Sequence, residues 1–178
     1  MRKHFSEIPS LQGDKIVLRQ ITQEDAPALA EFVKSKKIYR YLPTFLFEQK
    51  YDDIRYVIDR LYTECLEESL ILGIYDKDKG EFCGIAEFYG YRDDLHKISI
   101  GYRLAEDCWG KGIATEALRL MIDYLYGQTD IEIITASTMV ENKASAKVLM
   151  KNGFEQVSSG VGEDWGYDEP TLADKWIR

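Results

Sequence analysis

In the run AEDCWGKGIATEALRLMIDYLY, Gly110 and Gly112 flank Lys111 directly ahead of a strongly amphipathic stretch. With no Cβ in the way, glycines at such a junction let the main chain come close to a ligand. The first N–H groups of a helix have no partner inside it, and the helix dipole places partial positive charge at the same end. The junction therefore suits an anion, a diphosphate above all. Each dipole contact contributes only about 0.3–1 kcal/mol at an exposed site, so tight binding needs several N–H groups acting together with a cation such as Lys111. A Walker A loop would need four residues between its first glycine and a Gly-Lys-Ser/Thr ending, and a dinucleotide fingerprint would need Gly or Ala where Thr115 stands. Neither pattern fits.

Other chemistry is limited by what the chain contains. His4 and His96 are its two histidines, so a zinc–histidine site or a Ser-His-Asp triad lacks its parts unless one of them is recruited. Cys65, Cys83 and Cys108 have no CxxC spacing and read as free, buried thiols. No metal site is expected. A net charge of -8 repels phosphate backbones, which argues against nucleic acid as a partner and favours cationic ligands. Any phosphate site must then be built locally.

The surrounding elements must place these groups. Residues 15–21 alternate like a half-buried strand, and Thr22 with Asp25 forms a capping arrangement that opens a helix to about Ser35. After Pro43, residues Ile54, Val57, Ile58, Leu61, Tyr62 and Cys65 recur on one face of a long amphipathic helix. Residues 70–75, 81–91 and 98–104, joined by the turns DKDKG and RDDLHK, predict an antiparallel meander. A helix follows from Gly110 to about Tyr126, then a strand at 131–137, a helix at 144–150 and a strand starting near Phe154. This order predicts an α/β fold: a mixed sheet with helices on both faces, not a purely parallel doubly wound one. One domain over residues 1–178 is expected, since a chain of this size buries roughly 70% of its unfolded surface. No stretch approaches the roughly 20 apolar residues of a membrane span, and the opening MRKHFSEIPSLQG lacks a secretory signal, so a cytoplasmic protein without a membrane partner is expected.

These residues resemble the GNAT acetyltransferase superfamily, whose acyl-CoA loop follows Gln/Arg-x-x-Gly-x-Gly/Ala at the start of the main helix. Gly112 and Ala114 match that pattern and Trp109 does not. The run Trp109, Gly110, Lys111, Gly112, Ile113, Ala114, Thr115 looks most like the RimJ/RimL-like branch of ribosomal-protein N-terminal acetyltransferases, where an aromatic at the first position is common. Downstream, Asn142-x-x-Ser145 opens the next helix, and Lys151-Asn152-Gly153-Phe154 closes it as the family's Lys-x-Gly-Phe does. More loosely, residues 16–19 and 39–43 resemble the branch's first strand and substrate-side helices.

The resemblance implies the GNAT fold, in which the strand ending at Leu104 splays from the strand near Ile131 to leave a V-shaped gap. It implies acetyl-CoA as co-substrate, held by Leu104, Trp109 to Thr115, Asn142, Ser145 and Lys151, with no metal. A backbone N–H near Leu104 would meet the thioester carbonyl, a contact worth about 2.7–4 kcal/mol in comparable acyl-transfer sites. Many members protonate the departing thiolate with a tyrosine where this chain has Leu149, which leaves Ser145 as the candidate acid; capping the helix is its other reading. The branch usually has a glutamate two residues before its Gly-Tyr, and here Ser99 precedes Gly101 and Tyr102. Glu87 on the neighbouring strand is then the candidate base, or else a solvated strand residue. Tyr39, Arg40, Tyr41 and Tyr102, with the loop GEDWGYDEP, are candidates for an acceptor groove. An amine acceptor is implied, either a protein N-terminus or a small molecule such as a polyamine or aminosugar, and the chain would be a monomer or a homodimer. Without the tyrosine and the glutamate, a non-catalytic acyl-CoA-binding or regulatory domain is the alternative. A nucleotide-binding protein using the same helix end is a third.

Overall fold

The computed structural model describes residues 5–64, 66 and 69–178; His4 and Cys65 lie outside the described residues. The meander forms as expected, from β3 (Leu70–Asp76), β4 (Phe82–Arg92) and β5 (Lys97–Leu104). Its two-residue alternation sorts the side chains between two cores. Leu70, Leu72, Ala86, Phe88, Ile98 and Ile100 pack on one face, while Ile71 and Ile85 pack on the other.

With β1 (Leu11–Gln12), β2 (Ile16–Arg19), β6 (Ile133–Met139), β7 (Glu155–Glu163) and β8 (Thr171–Ile177), these strands form an eight-stranded sheet of order β1-β2-β3-β4-β5-β6-β8-β7. Every pairing is antiparallel except β5 with β6. The helix α4 (Ile113–Gln128) buries Ala117, Leu118, Met121 and Leu125 against the first core, beside α5 (Lys143–Lys151). On the opposite face α1 (Ala26–Phe32) packs with the short α2 (Phe47–Lys50) and α3 (Ile54–Tyr56) region.

The parallel pairing of β5 with β6 is short: residues 97–99 match 133–135, and both strands then run on without pairing each other. Ser99 and Thr135 join their hydroxyls at 2.8 Å at the apex of the split. β6 instead satisfies its other edge against β8. A V-shaped opening therefore forms between the upper halves of β5 and β6.

Several expected elements change shape. The expected long helix over residues 54–65 forms over the described residues 54–64, but it is α-helical at Ile54–Tyr56, winds as a π-helix over Val57–Tyr62 and returns to α-helix at residues 63 and 64. That wider turn puts Val57, Ile58 and Tyr62 together in the core, a spacing of five that an α-helix would spread around its circumference. α1 stops at Phe32, short of Ser35, whose hydroxyl donates to Glu106 Oε1 at 2.6 Å. Thr22 and Asp25 form the anticipated capping box, Thr22 N–H donating to Asp25 Oδ2 at 2.8 Å. β8 was not expected; it inserts between β6 and β7 and buries Thr171, Ala173 and Trp176.

Candidate active site

The junction before α4 has the geometry its glycines imply. Gly110 and Gly112 have φ of 69° and 76°, in the left-handed region that a side chain disfavours. Among the described residues no side chain caps the helix start, and Glu116 in its first turn instead accepts from the main-chain amides of Asp14 and Lys15. The first bond into the helix is Glu116 N–H to the Gly112 carbonyl at 3.1 Å. Among the described residues, no acceptor meets the amides of Ile113, Ala114 or Thr115. Lys15 adds a cation at this end, its Nζ donating to the Lys111 carbonyl at 3.4 Å.

From this junction a cavity of about 760 Å³ runs through the split of the sheet. On the α4 and α5 side it is lined by Ala114, Leu118, Tyr102, Ser145, Val148 and Leu149; on the other side by Glu87, Tyr89, Tyr41, Phe45, Trp165 and Lys175. Ala105 N–H donates across to the Cys83 carbonyl at 2.8 Å, so by strand alternation the N–H and C=O of Leu104 turn toward the split. Its carbonyl there accepts from the Trp109 indole at 2.9 Å, which leaves the neighbouring amide aimed into the opening. Tyr102 and Ser145 both line the cavity; burial pushes the Tyr102 phenol up and the nearby Ser145 hydroxyl offsets part of the rise. Asn142 caps α5 by accepting from Ser145 N–H at 3.2 Å, a contact that does not use the Ser145 hydroxyl, and Ser145 lines the cavity.

Glu87 stands opposite Gly101 on β4, on the same face as Arg103. Arg103 donates from Nη1 to Glu87 Oε2 at 3.0 Å and from Nε to Glu48 Oε1 at 2.5 Å. The Glu48 side chain is 0% exposed and that of Arg103 4%, against 18% for Glu87, so Glu87 gives the cavity most of the cluster's exposed surface, Arg103 lines it with little, and Glu48 does not reach it. Tyr39 and Tyr62 donate to Glu48 at 3.1 and 2.6 Å. Burial pushes the Glu48 carboxyl up, but the Arg103 charge and the bonds from Tyr62 and Arg103 outweigh it and hold the group below the ordinary carboxylate value. Burial likewise weakens Arg103 as a cation, and Glu48 and Glu87 more than restore it.

With this geometry in view, comparison with known proteins is decisive. The family model described as "Acetyltransferase (GNAT) domain" matches residues 15–155. The chain belongs to the GNAT acetyltransferase family. It is 27% identical over 168 residues to the uncharacterized N-acetyltransferase YoaA of Bacillus subtilis, covering 93% of each chain. It is 34% identical over 94 residues to the ribosomal protein uS5-alanine N-acetyltransferase of Escherichia coli, covering 52% of this chain and 47% of that one. A ribosomal L7/L12 α-N-protein acetyltransferase solved with coenzyme A superposes with a TM-score of 0.80 at 19% identity, covering 96% and 97% of the two chains. A GNAT acetyltransferase of Bacillus anthracis gives 0.80 at 18%, covering 96% and 98%. The chain is thus an acyltransferase of amines.

The expected GNAT site residues divide into those that meet at the cavity and those that do not. Trp109, Gly110, Ala114, Leu104, Asn142, Ser145, Glu87, Tyr102 and Tyr41 line it. Lys111, Gly112 and Thr115 lie just outside its wall, and Ile113 turns its side chain into the core. Lys151 is exposed at the C-terminal end of α5 and does not line the cavity. Tyr39 faces away from the cavity, toward Phe32 and Glu48, and Arg40 is exposed over the Tyr41 ring. Sequence reasoning missed Lys15, Glu48, Arg103 and Lys175. Lys15 is 96 residues from Lys111 and Glu48 is 55 from Arg103, and no local pattern links such pairs. Among the described residues no group of acidic, histidine and cysteine side chains could hold a metal, and no helix is long and apolar enough to cross a membrane.

Proposed function

We propose that the chain transfers the acetyl group of acetyl-CoA to the free N-terminus of a peptide or protein, by direct attack within a ternary complex. One observation carries this reading: a single cavity leads from the uncapped start of α4, through the split between β5 and β6, to Glu87. The open amides of Ile113, Ala114 and Thr115, with Lys15 and Lys111, suit the diphosphate of the coenzyme. Ala136, Leu118, Val148 and Leu149 give the apolar walls that a pantetheine arm requires.

Each remaining role falls to a group already in reach. The Leu104 amide donates to the thioester oxygen as negative charge develops there. Glu87 takes the proton of the attacking amine. The Tyr102 and Ser145 hydroxyls, which line the same cavity, donate to the sulfur, which supplies the proton that Leu149 cannot. On the acceptor side Trp165 and Tyr41 supply aromatic surface, and Glu87 supplies negative charge, for a cationic amine. The likeness to the uS5-alanine enzyme favours a peptide N-terminus over a polyamine or an aminosugar. The one-domain and cytoplasmic readings stand with this proposal.

A non-catalytic coenzyme binder is the second reading, favoured by Leu149 lining the cavity where the family resemblance implies a tyrosine. Thiol release from acetyl-CoA separates the two, measured with Ala- and Ser-initiated peptides, spermidine and glucosamine. Release with a peptide, and an acetyl group on its α-amine by mass spectrometry, is the expected result. Bound acetyl-CoA with no release for any acceptor would leave the binder.

A further inference from the structure

Glu48 and Arg103 form a fully buried ion pair, and such a pair contributes little net stability because desolvation offsets most of the attraction. Its arrangement suggests another use. Arg103 spans two carboxylates, with its Nε on Glu48 behind the sheet face and its Nη1 on Glu87 at the cavity wall. Alone against Glu87, a buried guanidinium would fix the carboxylate but also neutralise it, leaving a poor proton acceptor and a poor partner for a cation. Glu48 supplies a second negative charge, so the three groups carry a net charge of about -1, counting two carboxylates and one guanidinium. Tyr39 and Tyr62 occupy both oxygens of Glu48 without adding charge.

We infer that Glu48 and Arg103 are a buried positioning pair for Glu87, in which Arg103 fixes one carboxylate oxygen and Glu48 cancels the charge that would otherwise suppress its basicity. This rests on the reading of Glu87 as the base. The other charged or titratable groups around the cavity with Glu87 are Tyr89 on its own strand, Tyr41 and Tyr102, and Lys37, Glu163, Asp164 and Lys175. Lys175 is itself paired with Glu163, and Lys37 with Glu106 at 3.4 Å. Neither cation is therefore free to take over the part of Arg103.

The test follows the carboxyl carbon resonance of Glu87 with pH in ¹³C-glutamate-labelled full-length protein, the signal being assigned by its loss in Glu87→Gln. In Glu48→Gln, Glu87 should take up its proton at a pH lower by about 1 unit, the low end for one nearby uncompensated charge. The double variant Glu48→Gln/Arg103→Met removes both charges and should return the transition to within about 0.3 unit of wild type. Turnover with an Ala-initiated peptide should stay about tenfold down in the double variant, because the carboxylate is no longer held in place. An unmoved transition in folded Glu48→Gln overturns the inference. Should that variant not fold, wild-type turnover in the double variant overturns it instead. Glu87→Gln with wild-type turnover would remove the base reading itself, whereas impaired Glu87→Gln beside an unmoved Glu48→Gln removes only the positioning pair.

Discussion

Glu87, Ser145 and Tyr102 carry the proposed chemistry, and each role has its own substitution. Glu87→Gln should lower turnover by about 10²- to 10⁴-fold. Its acetyl-CoA affinity by calorimetry should stay unchanged, since Glu87 lines the cavity on the side proposed for the acceptor. A wild-type rate would take Glu87 out of the mechanism. Tyr102→Phe and Ser145→Ala each remove one of the two cavity-lining hydroxyls proposed to serve the same sulfur. Their combination should therefore slow thiol release by little more than the stronger single change, as members of one unit do. A fully multiplicative loss would mean that the two hydroxyls act separately. Ser145 was legible from its place in Asn-x-x-Ser, and Glu87 from the strand it occupies. The ambiguity over Glu87 came from register, which a sequence leaves open; pairing Glu87 with Gly101 settles which face it takes.

At the scale of elements, the junction ahead of α4 is where a small change should matter most. Among the described residues, apart from its chain neighbours, no heavy atom stands within 4 Å of where a Gly110 Cβ would project, so Gly110→Ala meets no steric block there. Its φ of 69° nevertheless costs a side chain roughly 1–2 kcal/mol. Denaturant unfolding should register that loss, and acetyl-CoA affinity should fall with it if the loop relaxes away from the amides. Unchanged stability would mean that the left-handed conformation is not kept in solution. This segment was readable because its signals are local: two glycines, then a 3.6-residue apolar period. The π-helical Val57–Tyr62 and β8 were not. The first depends on what the core accepts from a helix face, and the second on a sheet edge supplied by β6 and β7, both non-local facts.

For the whole molecule, the buried Glu48–Arg103 pair ties folding to pH. The Glu48 carboxyl is held below its ordinary value of 4.5, so its contribution to stability is fully present above that pH and is lost as pH falls through the lower folded-state value. Unfolding temperature should therefore drop on acidification below about pH 4.5, and less steeply in Glu48→Gln. That variant should also be less stable at neutral pH by about 3–5 kcal/mol, because Arg103 keeps its burial and loses a partner. Equal acid slopes in the two proteins would contradict this coupling. Acetyl-CoA at about 100 times its dissociation constant should raise the unfolding temperature by roughly 5–10 °C. NAD should not.

The most direct measurement is a ¹⁵N–¹H titration of the labelled protein with acetyl-CoA, following the amides of Ile113, Ala114, Thr115 and Leu104. The expected result is that these four resonances move furthest, the three at the start of α4 also responding to coenzyme A, whose diphosphate is the same. If they stay in place while other amides shift, the coenzyme binds elsewhere, and the opening between β5 and β6 is not where the acetyl group changes hands.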